Sequence, residues 1–238
     1  MIIDITQGLS PGMAGFPGDA AYEEGWTFRL GPDCPVNVSR VSFSVHCGTH
    51  ADAPLHYEAK GAAAGVLALE PYIGPCRVID ARGDGPLCEP SDIGSALEGA
   101  PPRILLRLMD RLDPTVWPTG FRALAAETVA LLAAKGVVLV GIDTPSVDPE
   151  TSKTLSAHHA CRRADMRILE NLALADVEPG DYELIALPLV HTAWASAALF
   201  SIANAILLAR RIRHEETALA LHADYAARLA KYEQAPPE

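Results

Sequence analysis

Three histidines and an aspartate fall within eleven residues, His46-Cys47-Gly48-Thr49-His50-Ala51-Asp52-Ala53-Pro54-Leu55-His56, at positions 46, 50, 52 and 56. Imidazole and carboxylate together make a ligand set for zinc and similar divalent metals, and manganese accepts the same N/O donors. The spacing selects the backbone. On one continuous helix His46 and His50 would share a face, but Asp52 would point about 200° away from His50 at roughly 100° per residue. Gly48 and Pro54 also oppose helix. In extended backbone all four positions have one parity and project from one side. A straight strand would still hold His46 and His50 about 13 Å apart at ~3.3 Å per residue, too far for one ion. The chain is therefore expected to curl near Gly48, where glycine makes tight geometry inexpensive. Cys47 has the opposite parity and reads as a packed thiol.

The elements that must position this stretch can be read around it. Ser39 to His46 alternates, with Val41, Phe43 and Val45 on one face and Arg40, Ser42, Ser44 and His46 on the other, as in a half-buried strand. Val36-Asn37-Val38-Ser39 has its valines on the opposite parity and stays unassigned. The first residues read as a short strand, followed by a Gly- and Pro-rich loop from Ser10 to Asp19 that presents Phe16 on a rigid turn. Further on, the apolar runs at 76–80, 103–107 and 137–143 read as interior strands, with another strand at 182–187. Helices are expected from about Pro90 to Glu98 and over Ala123 to Lys135, ending at Gly136. The order predicts an α/β fold: a single domain with a mixed central sheet and flanking helices over residues 1–188. A C-terminal tail at 189–238, rich in alanine, reads as helix.

The bulk composition excludes some functions. A chain of 238 residues with 49% hydrophobic composition can bury a substantial core. Its formal net charge of -11 argues against nucleic acid as a partner. The five cysteines, at 34, 47, 76, 88 and 161, form no CxxC pair and suit free thiols in a reducing compartment. Met1-Ile2-Ile3-Asp4-Ile5 has neither the basic nor the apolar region of a signal peptide, so the expected location is the cytoplasm. The largely apolar stretch Val190 to Ala209 is interrupted by His191, Ser196, Ser201 and Asn204. A buried or subunit-contact helix explains it better than a membrane span.

The pattern His46-x-Gly48-Thr49-His50-x-Asp52-x-Pro54-x-His56 resembles the signature of the metal-dependent cyclase-like hydrolases, most closely their bacterial kynurenine formamidase branch. Similar segments include Phe16-Pro17-Gly18-Asp19, Asp143-Thr144-Pro145-Ser146-Val147-Asp148-Pro149, Ser156-Ala157-His158-His159 and Ile168-Leu169-Glu170-Asn171-Leu172. The resemblance covers residues 1 to about 189. It implies two zinc ions per subunit, the first held by His46, His50 and Asp52, with Asp52 bridging to the second. His158 matches the second ion's histidine, with His159 as its rival, and Glu170 matches the carboxylate of the same site. His56 matches the acid/base. Twelve residues of unbroken helix would separate His158 from Glu170 by about 18 Å at ~1.5 Å per residue, so the chain must turn between them or His158 must precede the helix. Paired ions sit only ~3.5 to 4 Å apart.

The activity so implied is hydrolysis of N-formyl-L-kynurenine to L-kynurenine and formate by metal-activated water, with a homodimer as the expected assembly. Phe16 occupies the family's aromatic substrate position, where tryptophan is more usual, and can still stack with less area and no N–H donor. The residues after Leu187-Pro188-Leu189 do not resemble the family's short closing segment. Two other readings fit the same residues: a related amide hydrolase that opens isatin-like rings, and a metal-binding protein without catalysis. His56 is open to a role as ligand or structural histidine.

Overall fold

The computed structural model describes residues 2–186. The tail expected at 189–238, its helix and the apolar run from Val190 lie outside the described residues. In chain order the strands and helices are β1 (Glu23–Phe28), β2 (Val38–Ser42), β3 (His50–Asp52), β4 (Ile73–Asp80), β5 (Leu87–Cys88), α1 (Pro90–Ile93), β6 (Arg103–Arg107), β7 (Ala123–Leu124), α2 (Ala126–Ala134), β8 (Leu139–Ile142), α3 (Ser156–Arg163), β9 (Arg167–Glu170) and β10 (Gly180–Ile185). Six strands form one mixed sheet in the order β10-β4-β6-β8-β9-β3. Its four central strands run parallel, while β10 and β3 close the edges antiparallel.

The apolar runs at 76–80, 103–107 and 137–143 are the parallel strands β4, β6 and β8, and they lack polar alternation because both sheet faces are buried. Ile79, Ile104, Leu106, Val140, Ile142 and Ile168 pack on one face, against Ile93 of α1, Val129 and Leu132 of α2, and Ala157 and Cys161 of α3. Cys76, Val78, Leu105, Leu139, Leu169 and Leu184 pack on the other, under Tyr72, Leu172, Leu174 and Val177. The helices thus cover one face only, and connecting segments cover the second. In β8, Gly141 permits this close packing, since a Cβ there would lie 2.6 Å from Leu105 Cδ2 and 2.7 Å from Leu172 Cδ1.

Several boundaries differ from the sequence reading. The first residues form no strand, although the Ile5 carbonyl accepts the Ala173 N–H at 2.8 Å and Ile5 packs on the second cluster. The alternating segment at 39–46 is shorter than expected: β2 ends at Ser42 and pairs with β1 in a separate two-stranded ribbon. All five β2 residues are exposed, so its alternation does not mark a half-buried strand among the described residues. The helix at 90–98 is one α-turn followed by a 3-10 turn at Gly94–Leu97. Residues 123–124, expected as helix, pair with β5 before α2 begins. Among the described residues no helix is long and apolar enough to cross a membrane.

Candidate metal centre

The edge strand β3 brings most of the site together through its register with β9. His50 stands opposite Glu170, and Asp52 stands opposite Ile168. Directly opposed residues in a sheet project from the same face, so His50, Asp52 and Glu170 share the face of Ile168, which is the face covered by α3. His50 Nε2 lies 3.3 Å from Glu170 Oε2 and 3.3 Å from Asp52 Oδ1. From α3, His158 turns inward, 1% exposed, with Nε2 3.0 Å from Asp52 Oδ2 and 3.8 Å from Glu170 Oε1. The chain reverses after α3, through Asp165 at φ 50, and returns as β9. That reversal brings a helical histidine and a strand carboxylate, twelve positions apart, into one cluster. Neither His158 nor His159, one residue further round the helix, belongs to the two donor groups described below, and it is His158 that contacts Asp52.

His46 reaches the cluster from a turn, since the strand ends before it. Gly48 adopts φ +68, the curl expected of it, and a Cβ there would come within 2.7 Å of Leu9 Cδ2 and 3.3 Å of Met13 Cε. The curl places His46 Nδ1 3.1 Å from Asp52 Oδ1 and 3.0 Å from His50 Nε2. Thr49 fastens the following strand: its hydroxyl accepts the Gln7 N–H at 2.9 Å and donates to the Asn171 carbonyl beside Glu170. The His56 ring lies 4.0 Å from that of His46 and 5.9 Å from that of His158, on the exposed side of the cluster. Cys47 is buried, with Sγ 3.6 Å from Met13 Sδ, as a packed thiol.

Two sets of three donors have ligand atoms within 4.8 Å of one another: His46, Asp52 and His56, and His50, Asp52 and Glu170. Asp52 belongs to both. Its Oδ1 is buried without a well-formed hydrogen bond, although two imidazole nitrogens stand beside it. A buried acceptor of this kind is costly unless something supplies positive charge. Nitrogen and oxygen lone pairs converging on one buried point suit a divalent cation.

The electrostatics agree with that demand. Burial works against charge on His50, yet hydrogen bonding to Asp52 and Glu170 outweighs it and holds the pKa up at about 10. Burial likewise opposes charge on His158, while Asp148 and Asp52 raise it to about 10. Burial and the neighbouring Asp52 push Glu170 upward. Asp52 resists its own burial because His158, His46 and His50 hold it well below the usual carboxylate range. Burial moves His56 in the other direction, downward, with Asp52 partly offsetting it and the other imidazoles adding to it.

Asp148 is a buried residue of this neighbourhood that the sequence motif did not single out as a site residue. It faces His158 Nδ1 at 2.7 Å, and the adjacent Val147 N–H donates to Glu170 Oε1 at 2.7 Å. The available signal was its place in the family-like run 143–149, but nothing in the spacing ties that run to the site. Phe16 is half-exposed and meets Trp117 edge-on, with centroids 5.5 Å apart. A small cavity beside the cluster is lined by His46, Gly48, Asn171, Asp113 and Trp117. Phe16 is one ring removed from that cavity, and Trp117, fixed by its Nε1–H to Glu150 Oε1 at 2.9 Å, forms the wall.

The comparisons with known proteins fit this geometry. A sequence profile of the cyclase family matches residues 3–149. The kynurenine formamidase of Bordetella pertussis (strain Tohama I) is 55% identical over 186 residues, covering 78% of this chain and 89% of that protein. The kynurenine formamidase of Bordetella petrii is 52% identical with the same coverage. Among solved structures, a potential metal-dependent hydrolase with cyclase activity superposes with a TM-score of 0.68 at 26% identity, over 79% of this chain and 89% of that one. Isatin hydrolase A from Labrenzia aggregata shares the fold, with a TM-score of 0.67 at 21% identity over 79% and 86% of the two chains.

Proposed function

The chain belongs to the cyclase family, and from that premise we infer that it is a metal-dependent hydrolase that cleaves N-formylkynurenine to kynurenine and formate. The observation that carries the metal part is Asp52, a buried carboxylate with one oxygen toward His46 and His50 and the other toward His158. The formamidase part rests on 55% identity to a kynurenine formamidase across most of both chains.

In this reading His46, His50 and Asp52 would hold one ion, and Asp52, His158 and Glu170 would hold a second. Zinc is the first choice, and manganese suits the same donors. Bound ions of this kind supply Lewis acidity, which lowers the pKa of water towards about 7 and polarises a carbonyl oxygen. The chain's residues do the rest. Asp52 and Glu170 fix the position of positive charge and partly offset it. His56, on the exposed side of the cluster, takes the proton that water releases as its oxygen bonds to the formyl carbon. Its imidazole delivers that proton to the amide nitrogen as the C–N bond breaks, so the arylamine leaves neutral and formate takes the water oxygen. Trp117 forms the apolar wall on which the aryl ring lies, with Phe16 packed edge-on against it.

The expected setting follows from other features. Five free cysteines, none paired, suit the cytoplasm. Trp26 and Val41 on one face of the β1–β2 ribbon, and Phe28 and Val38 on the other, are exposed apolar side chains, which supports a homodimer. The shared fold with isatin hydrolase A keeps ring-opening of isatin as the second reading. Metal-loaded protein assayed on both compounds separates the two. The proposal expects kynurenine from N-formylkynurenine and little or no isatinate from isatin; the reverse preference would reassign the substrate, and retained metal with neither activity would leave only a binding role.

A further inference from the structure

Asp148 and Val147 are consecutive, and each contacts a different proposed ligand of the second ion. Asp148 is 2% exposed. Its Oδ1 accepts the Ala157 N–H at 3.0 Å, and its Oδ2 accepts the His158 N–H at 2.9 Å while facing His158 Nδ1 at 2.7 Å. One backbone N–H already donates to each oxygen, so Asp148 meets His158 Nδ1 as an acceptor. The imidazole therefore presents Nδ1–H to Asp148, which leaves Nε2, 3.0 Å from Asp52 Oδ2 and 3.8 Å from Glu170 Oε1, as the nitrogen free to meet an ion between them. Val147 N–H, bonded to Glu170 Oε1, holds the facing carboxylate. The contacts of Val147 and Asp148 just described are to α3 and Glu170, on the His158 side of Asp52.

We propose that Val147–Asp148 is a brace dedicated to the second ion, with Asp148 as a positioning residue that fixes Nε2 of His158 as the ligating atom. The proposal rests on the two-ion reading above. A carboxylate that merely capped α3 would leave the imidazole free to take either tautomer, and its loss would affect folding without preference for one ion. An Asn at this position keeps the shape but sets an NH2 group either against the Ala157 N–H or against the His158 N–H and Nδ1–H, so the carboxylate's hold on the ring is weakened in both orientations.

The test combines zinc stoichiometry by elemental analysis, competition titration of each equivalent, and 15N NMR of the histidine rings in the zinc-loaded full chain. Wild type should bind two equivalents, with the His158 proton on Nδ1. Asp148→Asn should keep the first equivalent at wild-type affinity and weaken the second by roughly 10- to 100-fold. Two equivalents at wild-type affinity in the variant, equal loss of both, or wild-type His158 protonated at Nε2 would each overturn the brace. Saturation of wild type at one equivalent would instead contradict the two-ion reading, and the His158 tautomer in that protein still decides the brace. The wild-type spectrum serves the same purpose if the variant does not fold.

Discussion

At the residue scale, the proposed acid/base role is what would set His56 apart from the metal ligands. Its ring centroid lies 4.0 Å from that of His46, so proximity alone would allow it to be a ligand, and its nitrogen lies within reach of Asp52. The acid/base role requires something different of it: access to solvent and to the departing amine, which its exposed position provides. His56→Ala is expected to retain bound metal and to lose turnover by roughly 10²- to 10⁴-fold, the usual worth of a positioned proton carrier. Elemental analysis and kynurenine release, measured on the same sample, check this. Loss of metal would make His56 a ligand, and wild-type turnover would remove it from the mechanism. The cluster 46–56 was legible from side-chain type and parity alone. Glu170 was not, because a lone glutamate is most often a solvated surface group and only the β3–β9 register puts it across from His50. Asp148 was hidden for a related reason, since its partner His158 lies ten residues away, beyond a left-handed turn at Leu155 with φ 47.

At the element scale, the curl at Gly48 converts sequence proximity into a site. Strand β3 supplies His50 and Asp52 with one parity, but only the turn before it brings His46 within 3.1 Å of Asp52. With φ +68 and side chains of Leu9 and Met13 close to the missing Cβ, Gly48→Ala is expected to destabilise the fold by about 1–2 kcal/mol. It should also weaken metal binding, because any relief of the strain moves His46. A urea midpoint and a zinc titration check both effects; an unchanged midpoint with unchanged affinity would show that the curl is not confined to this glycine's conformation. The parallel strands were legible because their burial on both faces leaves unbroken apolar runs. The ribbon strand β1, with five of its six residues exposed, and the two-residue strands β5 and β7 carry no such pattern. The alternation at 39–46 misled because period-2 patterning reports one apolar side of a strand, and the β2 side is exposed among the described residues.

At the scale of the whole molecule, the sheet gathers the site at the carboxyl ends of its parallel strands, the position where α/β folds commonly bind ligands. Asp143 leaves β8 at that end, 3% exposed, with Oδ1 accepting the Leu108 N–H at 2.7 Å. Burial lifts its pKa from 3.8 to about 7, against the backbone hydrogen bonds that lower it. The native state therefore holds this proton over a range where the unfolded chain has released it, so the residue's contribution falls as pH rises from about 4 to about 7. Asp143→Asn, which keeps the acceptor, should remove that component: urea-derived stability, compared between the variant and wild type, should diverge in the variant's favour across this window. A constant difference would mean that Asp143 is ionised throughout. The central claim, that a bound divalent metal and this cluster together make a formamidase, is tested most directly by titrating zinc into chelator-treated protein while following kynurenine and formate from N-formylkynurenine. Turnover should be absent without metal, rise to a plateau at two equivalents and yield the two products one to one; full turnover in the chelator, or a zinc-saturated protein that releases neither product, would contradict the account.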